Sequence, residues 1–161
     1  MDTQWAEEAL RATEKSGRLD GLEIEHYVGG GLPPPHYRSD QLRLLAKDGR
    51  DTFEFATPHY EEKVPEGGTY PLDIYTLPAT PEEVKTFARL VRESGAFAAP
   101  APDAGPGHAD ALKTELIVNV RGREAKRVYA GGEPAELARL REVVDPLIAR
   151  LQKIGAHRVK R

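Results

Sequence analysis

The chain predicts an α+β fold, with an antiparallel sheet built from two β-hairpins plus flanking strands and helices packed on one face in two layers. Three observations carry the prediction. Asp48-Gly49 divides two alternating segments, the strongest short-range hairpin signal, because a two-residue turn needs positive φ at its centre. Thr80-Pro81-Glu82-Glu83 opens a helical run with every start signal present. The order hairpin and then helix occurs twice, a loose duplication without residue-level repetition.

The elements follow in order. Asp2 or Thr3 can cap a first helix running to about Lys15, with Trp5, Ala9, Leu10 and Thr13 on one stripe and Gly17 at its end. That stripe is thin, so residues 1–16 are expected to dock loosely. Leu22 to Val28 alternates and reads as a strand, with Leu22, Ile24, His26 and Val28 on one face and Glu23, Glu25 and Tyr27 on the other. The glycines and prolines that follow should stop it.

Gln41 to Lys47 and Arg50 to Ala56 form the first hairpin. Pairing Lys47 with Arg50 sets Leu44 opposite Phe53, Leu42 opposite Phe55 and Arg43 opposite Glu54, pairs worth about 0.2–1 kcal/mol each. A polar loop leads to a strand from Tyr70 to Leu77, with Pro71 near its start, where an edge position tolerates it. Thr80 then caps a helix whose stripe is Val84, Phe87, Leu90 and Val91, closed by Gly95. Residues 99–110 hold too much Pro and Gly for regular structure. Lys113 to Val120 and Glu124 to Ala130 form a second hairpin around Arg121-Gly122-Arg123, with two registers open. Gly132-Glu133-Pro134 opens a last helix bearing Leu137, Leu140, Val144, Leu147, Ile148, Leu151 and Ile154; Pro146 should kink it and Gly155 end it. Residues 156–161 read as a frayed basic tail.

With 161 residues the chain has the length of one domain, read as 1–161. The absence of cysteine excludes disulfides, thiolate catalysis and thiolate metal sites. A net charge of −3 with 30% charged residues is not the basic footprint of a nucleic-acid domain. No apolar run approaches the ~20 residues that span a bilayer. The acidic, amphipathic N-terminus does not read as a secretion leader, and a cytoplasmic location is expected. One asparagine, three glutamines and 13 prolines match the composition of heat-tolerant proteins.

No residue set rises to a catalytic motif. Ser16, Ser39 and Ser94 lack a nucleophile-elbow setting. His26, His36, His59, His108 and His157 show no ligand spacing, so no metal and no cofactor are predicted. A site assembled in space from His36, His59 and His108 with Asp103 or Asp110 is the alternative, a metal-dependent hydrolase-like enzyme. Glu23 and Glu25 read as an outward polar face. The remaining stretch is Gly29-Gly30-Gly31-Leu32-Pro33-Pro34-Pro35-His36-Tyr37. Three successive prolines remove the N–H donors that an anion-binding loop needs, and they hold an extended chain with little entropy left to lose. That suits presentation to a partner protein, with His36 and Tyr37 adding an aromatic grip. A plain strand connector is the competing reading. A homo-oligomer is a third possibility, if the outer sheet face bearing Leu45, Thr52 and Ala56 is uncovered; the oligomeric state itself stays open.

Between about residues 22 and 150 the layout resembles the emfourin-like protein inhibitors of thermolysin-type metalloproteases. The likeness lies in "EHYVGGG" closing a first strand, a helix with spaced leucines, "HADALKTELIVNVRGREAKRV" entering a hairpin, and "EPAELARLREVV" opening a last helix. The layout is equally that of bacterial domains with the same strand and helix order. The resemblance implies that residues Gly29 to Tyr37 enter or block a protease cleft and that no catalytic residue exists. The proline triplet and the N-terminal helix are additions to the pattern.

Overall fold

Positive φ at Asp48 (52°) and Gly49 (78°) makes the turn that the sequence predicts, and the register follows from it. In this computed structural model, which describes residues 3–30, 38–59, 71–98, 113–130, 135–154 and 157–159, Lys47 pairs with Arg50, Leu44 with Phe53, Leu42 with Phe55 and Arg43 with Glu54. The elements run α1 (Gln4–Ser16), β1 (Leu22–Gly30), β2 (Arg38–Lys47), β3 (Arg50–Pro58), β4 (Leu72–Pro78), α2 (Pro81–Glu93), β5 (Lys113–Val120), β6 (Arg123–Ala130), a 3-10 turn (Ala135–Leu137), α3 (Ala138–Ile154) and β7 (His157–Val159). All seven strands join one antiparallel sheet in the order β6-β5-β1-β2-β3-β4-β7. The fold is α+β, as predicted.

The second hairpin resolves its open register. Arg121 (φ 49°) and Gly122 (φ 89°) form the turn, Val120 pairs with Arg123, and the Asn119 side-chain carbonyl accepts the Gly122 N–H at 3.0 Å. β1 then stands between the two hairpins, pairing β2 on one side and β5 on the other.

Strand alternation sends Leu22, Ile24, Val28, Leu42, Leu44, Phe53, Phe55, Leu116 and Val118 to one face, where all are buried under the helices. Helix α2 has the predicted capping box: Thr80 Oγ1 accepts the Glu83 N–H at 3.2 Å and Glu83 Oε1 accepts the Thr80 N–H at 3.0 Å. Its Phe87 ring tilts against Phe53 with centroids 5.8 Å apart. Helix α3 buries Leu140, Val144, Leu147 and Leu151, and it continues through Pro146 to Ile154. Among the described residues no helix is long and apolar enough to cross a membrane.

Four expectations need correction. Helix α1 is not loosely held. Its Glu14 carboxylate receives Arg92 of α2 as a two-point fork at 2.7 and 3.0 Å, the Arg123 guanidinium lies 4.7 Å over the Trp5 ring, and Thr3 Oγ1 donates to the Phe97 carbonyl at 2.6 Å instead of capping its own helix. Its thin apolar stripe sufficed because charge-assisted and aromatic contacts supplement it. The tail is not wholly frayed, since His157–Val159 adds to β4 and gives that strand a second neighbour. The outer face is not open at the suspected patch: Thr52 and Ala56 are 7% and 5% exposed, and Leu45 is half-buried. The strand β1 does not stop before the glycines, and includes two of them.

The Glu14 fork has a pH consequence. Hydrogen bonding from Arg92, more than that cation's charge, holds the Glu14 carboxyl below the ordinary carboxylate range, against a smaller opposing effect of burial. A depressed folded value means that the stabilisation is complete above the unfolded pKa and is lost as pH falls through the folded one. Arg92→Met should therefore lower unfolding free energy by about 1 kcal/mol near neutral pH. In urea titrations the gap between wild type and variant should narrow as pH falls below the ordinary carboxylate range.

Candidate functional site

The strand ends at Gly30, Arg38, Pro58, Leu72, Lys113 and Ala130 all lie at one end of the sheet, opposite the two tight turns. One cross-strand row there, on the helix-covered face, changes from apolar to polar. The ladder aligns Tyr129, Thr114, Val28, Asp40, Thr57 and Asp73, with Arg158 of β7 next in register.

The row is tied by its own side chains. Thr57 Oγ1 donates to Asp40 Oδ1 at 2.9 Å. His59, just beyond β3, places Nδ1 2.9 Å from Asp73 Oδ2, and both side chains are largely buried, at 13% and 14% exposed. An ionised carboxylate only accepts, so in this contact Nδ1 carries the hydrogen. The His59 amide donates to the Pro71 carbonyl at 2.8 Å, which pins the backbone where β3 and β4 begin to part. One row inward, His26 is 2% exposed between Leu42 and Leu116, a core histidine as the sequence predicts. Nearby, the buried Arg127 donates its Nε–H to the Ala96 carbonyl, joining β6 to the segment after α2. Burial raises the Tyr129 phenol above its ordinary value, with the Arg127 charge opposing.

This arrangement orients an imidazole with a carboxylate, the support that a general base or a metal-ligating histidine uses. It does not complete a serine triad. Ser39 is one residue before Asp40 and so faces the other side of the sheet. Among the described residues no three acid, histidine or cysteine side chains are grouped to hold a metal ion. Of the metal set considered from the sequence, His59 lies within the described residues; His36, Asp103, His108 and Asp110 lie outside them.

The predicted partner-binding stretch divides. Gly31, Leu32, Pro33, Pro34, Pro35, His36 and Tyr37 lie outside the described residues. Gly29 and Gly30 belong to β1, not to a loop: Gly29 pairs with Ser39 and Lys113, and Gly30 with Arg38. Gly29 is buried, and a Cβ there would fall on the ring of Tyr27, two residues earlier on the same face. The glycine leaves room for an aromatic side chain that covers the backbone of a central strand.

On the outer face Glu23 and Glu25 are polar-face residues, as expected. Arg43 lies within 3.6 Å of Glu23, 3.7 Å of Glu25 and 3.4 Å of Glu54. Burial raises the Glu25 carboxyl, while the hydrogen bond from Gln41 and the Arg43 charge partly offset it. Among the described residues, clefts also lie away from the polar row. One, of about 640 Å³, is at the tight-turn end beside Arg18, Arg50 and Asp51. Another, of about 350 Å³, separates α2 from α3 over Phe53.

The polar row was not anticipated from the sequence. Part of it was reachable, because the hairpin register that pairs Lys47 with Arg50 also places Asp40 opposite Thr57. The step to Asp73 was not, since residues 60–70 between β3 and β4 give no register. The class defined by the described residues is a two-layer α+β protein with a hydrogen-bonded polar row at one sheet end. No protein-family model matches this chain, and no curated protein matches it.

Gly29→Ala should lower unfolding free energy by about 1–3 kcal/mol, because Tyr27 must leave its position. Adding Tyr27→Ala should recover part of that loss. A denaturation double-mutant cycle that gives purely additive costs would show that the two residues do not interact.

Proposed function

We propose that this protein is a non-enzymatic binding or regulatory module that offers residues Gly29 to Tyr37 to a partner protein. One observation carries the reading: Gly30 of β1 pairs with Arg38 of β2, the middle strand of the seven-stranded sheet formed by the described residues. The seven residues between them thus begin and end on anchored backbone, the usual support for a recognition segment. Three consecutive prolines within it cut the entropy lost on binding. The layout resemblance gives the partner class: a thermolysin-type metalloprotease, with the segment entering or blocking the cleft.

The purified protein should inhibit thermolysin, and replacing Pro33, Pro34 and Pro35 together by glycine should weaken inhibition about ten-fold or more with the fold intact. Absence of inhibition would remove the protease partner; equal inhibition by the triple variant would remove the segment.

The pairing of His59 with Asp73 favours a second reading, a metal-dependent hydrolase-like enzyme with a site built from loop His, Asp and Glu residues that includes His59. Metal analysis of untagged protein distinguishes it: stoichiometric zinc, manganese or iron that disappears in His59→Ala supports the enzyme, and metal-free protein with an unaltered variant argues against it.

A further inference from the structure

Two arginines stand apart from the other cations of the chain. Each other arginine whose side chain is described has a carboxylate within 4.0 Å, except Arg123, which lies over Trp5, and Arg127, which donates to the Ala96 carbonyl. Arg18 and Arg50 have no such partner among the described residues. Both are exposed on the wall of one cleft, that of about 640 Å³ at the tight-turn end.

The carboxylates of that wall are engaged elsewhere. Asp51 Oδ2 accepts the Leu19 N–H at 3.2 Å, and Asp20 has its ion-pair partner in Arg121, at 4.0 Å. Asp51 also fixes the shape of the cleft: its carbonyl accepts the Ala79 N–H at 2.9 Å, so one residue ties the connections before β1 and before α2 to the start of β3. Gly17, with φ 72°, allows the close join there, since a Cβ would stand 3.0 Å from the Pro81 side chain. Walls held in this way are set before a ligand arrives, which lowers the cost of binding.

We propose that this cleft binds the phosphate group of a small phosphorylated molecule, held between Arg18 and Arg50. A guanidinium offers a planar fork of N–H donors, and a phosphate ester, with three terminal oxygens and close to two negative charges at neutral pH, accepts from two such forks. A carboxylate, with two oxygens and one charge, is filled by one. The volume is that of a small-molecule site and exceeds what phosphate alone needs; Gly49, Pro78, Ala79 and Pro81 supply uncharged wall for the rest of the ligand. Both arginines face water, so affinity is modest, on the order of 0.1–1 mM. The cleft lies at the end of the sheet away from Gly29 to Tyr37, and either reading can fail without the other.

The test titrates the full chain with inorganic phosphate, glycerol 3-phosphate, ribose 5-phosphate and adenosine 5′-monophosphate, followed by amide chemical shifts. At least one ester should bind saturably, about five-fold or more tighter than inorganic phosphate, and should move the amides of Gly17, Gly49 and Asp51. Arg18→Gln and Arg50→Gln should each weaken that binding about five-fold or more. Arg139→Gln, which removes a guanidinium 78% exposed on α3, should leave it unchanged. All three positions are exposed, so the variants should keep the wild-type fold and their binding reports the site. Absence of saturable binding by all four probes would overturn the proposal. So would inorganic phosphate binding as tightly as every ester, or an equal loss in all three variants, since the anion would then answer to surface charge in general.

Discussion

The fold depends on β1. Leu22–Gly30 is the strand that meets both hairpins, β2 on one side and β5 on the other, and its pairing with β5 joins residues about ninety apart in sequence. Alternation along it decides everything on either side. Leu22, Ile24, His26 and Val28 face the helices, so their partners Leu42, Leu44, Leu116 and Val118 must face them too, and a slip of one residue would turn the whole apolar set to the outside. The two tight turns then carry this register outward, through Asp48-Gly49 to β3 and through Arg121-Gly122 to β6.

The same ladder explains where polarity is concentrated. The apolar rows are used up by the time the strands reach Val28, and the next residues on that face are Asp40, Thr57, Asp73 and Thr114. Buried or half-buried polar atoms there need partners, and they find them in each other: Thr57 with Asp40, His59 with Asp73. The glycines of the opening strand belong to this order. Gly29 is a strand residue shielded by Tyr27, and it carries the central ladder to the point where residues 31–37 begin. The strand ends that flank residues 31–37 and the polar row thus share one end of the sheet, while the tight turns close the other.

The helix layer is secured by unlike means. Helices α2 and α3 hold on by broad apolar stripes, whereas α1 adds a two-point ion pair, a cation over an aromatic ring and one hydroxyl bond to a carbonyl. The sheet edges differ as much: one is guarded by charge, and the other is covered by a short piece of tail.

Local chemistry alone determined the helices, the hairpins and the first hairpin's register, because capping boxes, left-handed turn residues and period-two alternation act over a few residues. It also determined that His26 would be a core residue and that Glu23 and Glu25 would face outward. Tertiary structure decided what depends on partners distant in sequence: the place of β1 between the hairpins, the meeting of His59 with Asp73 across residues 60–70, the grip of Arg92 on Glu14, and the pairing of the tail with β4. None of these has a spacing rule, because each distance is set by how strands stack sideways and not by how far apart their residues are along the chain.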